Sequence, residues 1–239
     1  GVTDRIGYEF TWEWGTDDGN PVTVMPAGDL YVVGLYEPIG YTVTIHYVEE
    51  GTNTPLFEDY IGQYYYQDDY SVISPNIAGY LAKQTVIGGT VGTENIELTV
   101  EYTKTQGQLN IVYVYGDSQT TAAETYTKSI AVGDRYNIPS PEFTGYTADQ
   151  TVVSGTVTGE QADSGINVYV TYNPNQYTVS FDGNGADGGS TASVSGNYLT
   201  TVTLTPNGFT RTGYTFTGWN TQANGTGDSY EDGETDTFR

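Results

Sequence analysis

The chain has 239 residues and no cysteine, with 30 acidic side chains against 7 basic ones and a formal net charge of −23. So acidic a surface repels nucleic acid and anionic membrane, and without cysteine there is no disulfide framework. No apolar run is long enough to cross a bilayer and no leader segment is recognisable; the chain opens and closes inside recognisable repeats, so it reads as a fragment whose targeting signals lie elsewhere.

Taken in order, residues 1–38 carry Gly7-Tyr8-Glu9-Phe10-Thr11-Trp12-Glu13-Trp14, an acidic glycine turn at Thr16-Asp17-Asp18-Gly19, and a strand over residues 30–36. From Tyr41 to Tyr47 apolar and polar residues alternate strictly, the pattern of a strand with one buried face. Ile96, Leu98, Val100 and Tyr102 alternate in the same way at residue 104's end of this segment. The whole of residues 41–104 then recurs. Tyr47, Tyr70, Ser74-Pro75, Gly79-Tyr80 and Gly89-Thr90-Val91 return as Tyr113, Tyr136, Ser140-Pro141, Gly145-Tyr146 and Gly155-Thr156-Val157, shifted by 66 residues. After a four-residue insertion the closing strand follows, with Val170-Thr171-Tyr172 for Val100-Glu101-Tyr102. Landmarks kept in order over a whole segment mean tandem small domains. The last stretch runs from Tyr177-Thr178-Val179-Ser180-Phe181-Asp182-Gly183-Asn184-Gly185 to Gly213-Tyr214-Thr215-Phe216-Thr217-Gly218-Trp219, which echoes the motif at Gly7.

The two central repeats resemble the mucin-binding-protein (MucBP) repeat of Gram-positive surface proteins. The second carries Gly133-Asp134-Arg135-Tyr136, Gly145-Tyr146, Ser154-Gly155-Thr156 and Val170-Thr171-Tyr172; in the first, Gln67-Asp68-Asp69-Tyr70 lacks the glycine and Gly88 replaces the serine. Residues 177–239 resemble the Listeria–Bacteroides (internalin B-type) repeat, with Val202-Thr203-Leu204-Thr205-Pro206 as its centre and its last strand missing. Residues 1–38 look like the second half of such a repeat, although Trp12 stands where the family has glycine. These resemblances imply a β-grasp-like fold for each repeat and a place on the cell surface.

The expected fold class is therefore α+β, mostly β: an elongated tandem array of small β-grasp-like (ubiquitin-like) modules. It comprises a partial B-repeat at 1–38, MucBP-like repeats at 41–104 and 109–172, and a B-repeat-like module at 177–239. Its linkers are the short stretches Thr105-Gln106-Gly107-Gln108 and Asn173-Pro174-Asn175-Gln176. A segment of about 65 residues buries little core, so stability must come from the 23 tyrosines and from contacts between neighbours.

The densest aromatic run, Tyr60 with Tyr64-Tyr65-Tyr66, is the candidate ligand-binding site, because exposed tyrosines stack on sugar rings. Alternation turns about half of such a run toward a core. The second repeat has Tyr126-Thr127-Lys128 in the matching stretch, so the two repeats differ there. His46, the sole histidine, sits with Thr42 and Thr44 on a polar strand face and reads as solvent-facing rather than as a base or ligand. Adjacent acids such as Asp68-Asp69 and Glu49-Glu50 point to opposite faces of a strand, so no carboxylate pair faces a substrate. Asp182-Gly183-Asn184-Gly185-Ala186-Asp187 looks like a calcium loop but lacks a ligand at Ala186 and the glutamate at Ser193, and Asn-Gly accounts for it as a turn. Asp17-Asp18 and Asp163 are candidates for loosely held cations. Lys83, Lys104 and Lys128 raise the question of an isopeptide crosslink.

No catalytic residue, cofactor or metal site is expected. The reading is a non-enzymatic bacterial cell-surface adhesin or stalk segment, extracellular and anchored to the cell wall through a region outside it, with host mucin or another glycan as partner. The alternative is a spacer or fibre subunit that associates end to end by strand exchange between incomplete repeats. Nucleic-acid binding and membrane insertion are not expected.

Overall fold

The computed structural model describes residues 8–11, 34–116 and 120–239. The protein is mostly β, in repeated small sheets. Its chain gathers into two compact units, one of residues 1–108 with 129–134 and 156–165, the other of residues 109–128 with 135–155 and 166–239.

In the first unit β1 (Tyr8–Thr11) pairs antiparallel with β2 (Leu35–Pro38), Tyr8 lying opposite Pro38. The remainder of the expected 30–36 strand, up to Val33, lies outside the described residues. Strand β3 (Gly40–Glu49) is the centre of a mixed four-stranded sheet. One neighbour is β4 (Tyr60–Tyr65), antiparallel; apart from that sheet, β5 (Asp69–Ile73) forms its own ladder. Beyond β6 (Tyr80–Ala82) the chain runs through β7 (Val86–Thr90), the partner of β5, into β8 (Ile96–Lys104). β8 lies parallel to β3 and antiparallel to β6, so the order is β4-β3-β8-β6.

The alternation seen in the sequence sets this register. Val43, Ile45 and Tyr47 from β3 meet Val100 and Tyr102 from β8 in one core, with Tyr70, Val72, Ile87 and Val91 from the smaller ladder. Val43 and Ile45 are fully buried, each stabilising the fold by about 1.5–3 kcal/mol relative to exposure. The Tyr102 hydroxyl donates to the carbonyl of Pro75 at 2.8 Å. The Ser-Pro turn and the closing Val-x-Tyr strand are thus parts of one interaction.

The same design recurs with β9 (Gln106–Tyr115), β10 (Thr120–Ala131), β11 (Arg135–Pro139), β12 (Tyr146–Ala148), β13 (Val152–Thr156) and β14 (Ile166–Pro174). The sheet order is β10-β9-β14-β12, with β11 and β13 paired apart. Leu109, Ile111 and Val170 are fully buried, and Tyr172 donates its hydroxyl to Pro141 at 2.6 Å. The four-residue insertion folds into α1 (Gly159–Ser164), the single helix among the described residues. Thr158 and Gln161 form its capping box, each side chain accepting the other's backbone N–H.

A third group follows: β15 (Gln176–Val179), β16 (Gly188–Gly189), β17 (Val194–Asn197), β18 (Thr201–Thr203), β19 (Phe209–Thr210), β20 (Trp219–Asn220), β21 (Ser229–Tyr230) and β22 (Thr235–Thr237). β15 pairs antiparallel with β17, and β18 with β22.

The expected four-residue linkers are largely absorbed into strands, because alternation continues through them. β8 ends at Lys104 and β9 starts at Gln106, leaving Thr105 alone; β14 ends at Pro174 and β15 starts at Gln176, leaving Asn175 alone. Both single residues make the same joint. Thr105 N–H donates to the Gly79 carbonyl at 2.9 Å, and its own carbonyl accepts from Val132 N–H at 3.1 Å. Asn175 N–H donates to Gly145 and accepts from Tyr198 N–H, both at 2.8 Å. Gly79 and Gly145 have φ of 83° and 77°. A Cβ on Gly79 would lie 2.7 Å from Val132 Cγ2, and one on Gly145 would run into the Tyr198 ring. Backbone angle and close approach both require glycine in the Gly-Tyr pair.

Candidate binding face

Successive side chains of β4 point to opposite faces, and this splits the tyrosine run. Tyr60 and Tyr64 face inward against the core of the first sheet, with their hydroxyls 2.7 Å apart. Gly62 lies between them; a Cβ there would sit 2.6 Å from both Tyr60 Oη and Tyr64 Cε2, so the missing side chain is what lets the rings meet. The hydrogen bond to Tyr60, followed by burial, raises the Tyr64 phenol above its ordinary value of 10.0. The Tyr64 ring also packs on Tyr70, with centroids 5.9 Å apart.

Tyr65 faces the other way and is 53% exposed. It lies opposite Gly40 in the register, and a Cβ built on Gly40 would be 4.0 Å from its ring, so no side chain stands over that edge. Beside it Gln63 donates to Thr42 Oγ1 at 2.8 Å, and Ile61 is 67% exposed further along the strand. Leu81 of β6 is equally exposed on the same side of the sheet. Asp68 fixes the turn after the strand by accepting Tyr65 N–H at 2.8 Å. Tyr66 is half-buried beyond the end of β4. The structure therefore brings Tyr60 and Tyr64 together inside, sets Tyr65 outside, and leaves Tyr66 past the strand. Gln63, Thr42 and Ile61, which sequence reasoning did not single out, share the face of Tyr65. Alternation within β4 carried that signal; the register that adds Thr42 from β3 did not show in the sequence.

The face can do one thing chemically. An aromatic ring with an amide and a hydroxyl nearby offers a flat apolar platform and directional polar groups. Its electrostatics are those of paired charges: Lys83 Nζ lies 2.8 Å from Glu50 and 2.6 Å from Glu101, and His46 Nδ1 lies 2.9 Å from Asp59. The Glu101 and Glu50 hydrogen bonds raise the Lys83 pKa, so this lysine is held as an ammonium ion. Lys104 pairs with Glu49 at 3.2 Å.

The other acidic candidates serve the backbone. Asp182 accepts Asn184 N–H at 2.7 Å in the Asn-Gly turn, where Asn184 and Gly185 have φ of 45° and 85°. Asp187 accepts Thr212 N–H at 2.7 Å, and the Thr212 contacts lower its pKa. Asp163 receives Gly79 N–H at 3.3 Å. Asp17-Asp18 lie outside the described residues. Among the described residues no group of three or more His, Cys, Asp or Glu side chains is placed to hold a metal ion.

Residues 177–238 match the sequence model of the Listeria–Bacteroides repeat domain. A segment of 74 residues is 42% identical to a putative Gly-rich membrane protein of Evansella cellulosilytica; it is 30% of this chain and spans only 8% of that protein. Among solved structures, a mucin-binding domain from Streptococcus pneumoniae is 21% identical with a TM-score of 0.25, over 28% of this chain and 90% of that one. The type 2 repeat of the mucus binding protein MUB from Lactobacillus reuteri is 15% identical with a TM-score of 0.26, over 56% of this chain and all 100% of that one. The Bacillus anthracis TIE protein is 14% identical with a TM-score of 0.40, over 82% of this chain and 52% of that one.

Proposed function

We propose that this chain is a non-enzymatic segment of a bacterial cell-surface protein, and that the outer face of its first four-stranded sheet binds mucin-type glycans through Tyr65. The observation that carries this reading is the exposed Tyr65 ring over Gly40, with the Gln63 amide and Thr42 hydroxyl beside it. The apolar C–H face of a pyranose packs on such a ring while its hydroxyls reach the polar pair. Support for the surface setting comes from the repeat-domain match over residues 177–238 and from the internal repetition. No helix among the described residues is long and apolar enough to cross a membrane.

On this reading residues 41–104 and 109–172 are MucBP-like modules and the flanking segments are B-repeat-like. The parallel pairing of closing on opening strand supports a β-grasp-like assignment for each. Of the four tyrosines in the run, Tyr65 touches ligand; Tyr60, Tyr64 and Tyr66 hold the strand that presents it. Surface plasmon resonance with purified mucin and with its released neutral glycans tests the proposal. Binding by the parent chain and a tenfold or greater loss on Tyr65→Ala (about 1.4 kcal/mol) is the expected result. A pure spacer would bind neither.

A further inference from the structure

The third strand group repeats the frame of the two four-stranded sheets with one position vacant. Counting from the single-residue joints, Val179 and Phe181 stand where the first sheet has Val43 and Ile45 and the second has Leu109 and Ile111. The turn after the second strand also matches. Gln67, Gly133 and Leu199 all have positive φ, and each donates its N–H to the residue that ends the smaller ladder: Val91, Val157 and Phe238. Tyr214 and Phe216 take the places of Tyr80 and Ala82, and of Tyr146 and Ala148. In both four-stranded sheets a closing strand lies between these two positions, parallel to the first and antiparallel to the second. Between β15 and residues 214–217 no such strand is present among the described residues.

The side chains register the vacancy. Val43, Ile45, Leu109 and Ile111 are fully buried, whereas Val179 and Phe181 are only half-buried. Tyr214 is 70% exposed, and residues 214–217 belong to no strand. A Cβ on Gly213 would meet nothing within 4 Å, although the matching Gly79 and Gly145 are packed. Between lies a groove of about 1720 Å³ lined by Val179, Phe181, Phe216 and Trp219. That exceeds the range of ordinary small-ligand sites, roughly 300–1,000 Å³. The buried indole N–H of Trp219 makes no hydrogen bond.

We propose that this groove is the seat of an extended polypeptide strand, parallel to β15, with apolar residues at alternate positions and a tyrosine near its C-terminal end. The chemistry of the occupant follows from what fills the two equivalent seats: Ile96, Leu98, Val100 and Tyr102 in one, Ile166, Val168, Val170 and Tyr172 in the other. The backbone edge of β15 continues the same hydrogen-bonding pattern that holds β8 on β3, and strand addition supplies affinity through such an edge while alternate side chains supply selectivity. This inference is independent of the glycan reading.

The test uses the full chain labelled with 15N and a synthetic peptide with the sequence of β14, Ile166–Pro174. Saturable shifts at Val179, Phe181 and residues 214–219 are expected. A peptide with the same side chains but methylated at alternate backbone nitrogens should bind at least tenfold more weakly, because it cannot complete the ladder. Absence of saturable shifts at millimolar peptide, equal binding by a scrambled peptide, or shifts confined to other residues would each overturn the proposal. So would light scattering that shows mass growing with concentration and reversed by the peptide, since the occupant would then be a second copy of this chain.

Discussion

The two four-stranded sheets share a core and differ on their outer faces. Ile45 and Ile111, Tyr102 and Tyr172, and the Ser-Pro turns that receive their hydroxyls are interchangeable parts. At the 66-residue shift, Ile61, Gln63 and Tyr65 of β4 correspond to Thr127, Ser129 and Ala131 of β10, and Gly40 corresponds to Gln106. The second sheet instead exposes Tyr169 on its closing strand, where the first has Thr99. Duplication kept what packs and let what faces water diverge. A binding role is therefore to be sought where the copies differ, and a folding role where they agree.

The shared cores give the largest expected effects. Ile45→Ala and Ile111→Ala should each cost about 2–5 kcal/mol in denaturant unfolding, since both side chains are fully buried. An Ile111→Ala variant of parent stability would break the equivalence. The buried tyrosines extend it to pH. Burial raises Tyr47, Tyr102, Tyr113 and Tyr172 above their ordinary 10.0. Their folded pKa values exceed the unfolded ones, so their contribution is complete below pH 10.0 and is lost as pH rises through the folded values. Circular dichroism should show both sheets weakening above that point, and unchanged stability there would contradict the burial.

The next effects separate the copies. Gly62→Ala should cost about 1–3 kcal/mol by forcing the Tyr60 and Tyr64 rings apart, whereas Lys128→Ala at the matching position should stay within about 0.5 kcal/mol. Tyr64→Phe removes one hydroxyl pair and should cost about 1 kcal/mol while leaving glycan binding intact. Binding lost with that hydroxyl would move the site to the inner face. The smallest effect concerns the turn after β4, where Gln67 adopts φ of 69° and Gly133 adopts 82°. Gln67→Gly should stabilise by about 0.5 kcal/mol and Gly133→Gln destabilise by about as much, read from melting curves.

Much of this architecture was legible in the sequence, because period-two alternation fixes which side of a strand is buried. Val43, Ile45, Val100 and Tyr102 announced themselves in that way, and so did the match between residues 177–238 and their repeat family. The joint was not legible. Thr105 and Asn175 are unlike each other in side chain because only their backbones bond, and a backbone contact leaves no residue signature. The helix after Val157 escaped notice for a related reason: Thr158 and Gln161 make a capping box, but six residues are too few to show helical periodicity. The tyrosine run was visible as a run. Its division between two faces follows from alternation, but the uncovered ring over Gly40 needed the register of β3 against β4.

The most direct test of the account is a titration of immobilised mucin glycans with the parent chain, with Tyr65→Ala and with Tyr169→Ala, each first shown to unfold at the parent midpoint. Binding that falls at least tenfold in Tyr65→Ala and persists in Tyr169→Ala is the predicted result. Undiminished binding by Tyr65→Ala, or no binding by the parent chain, would contradict it.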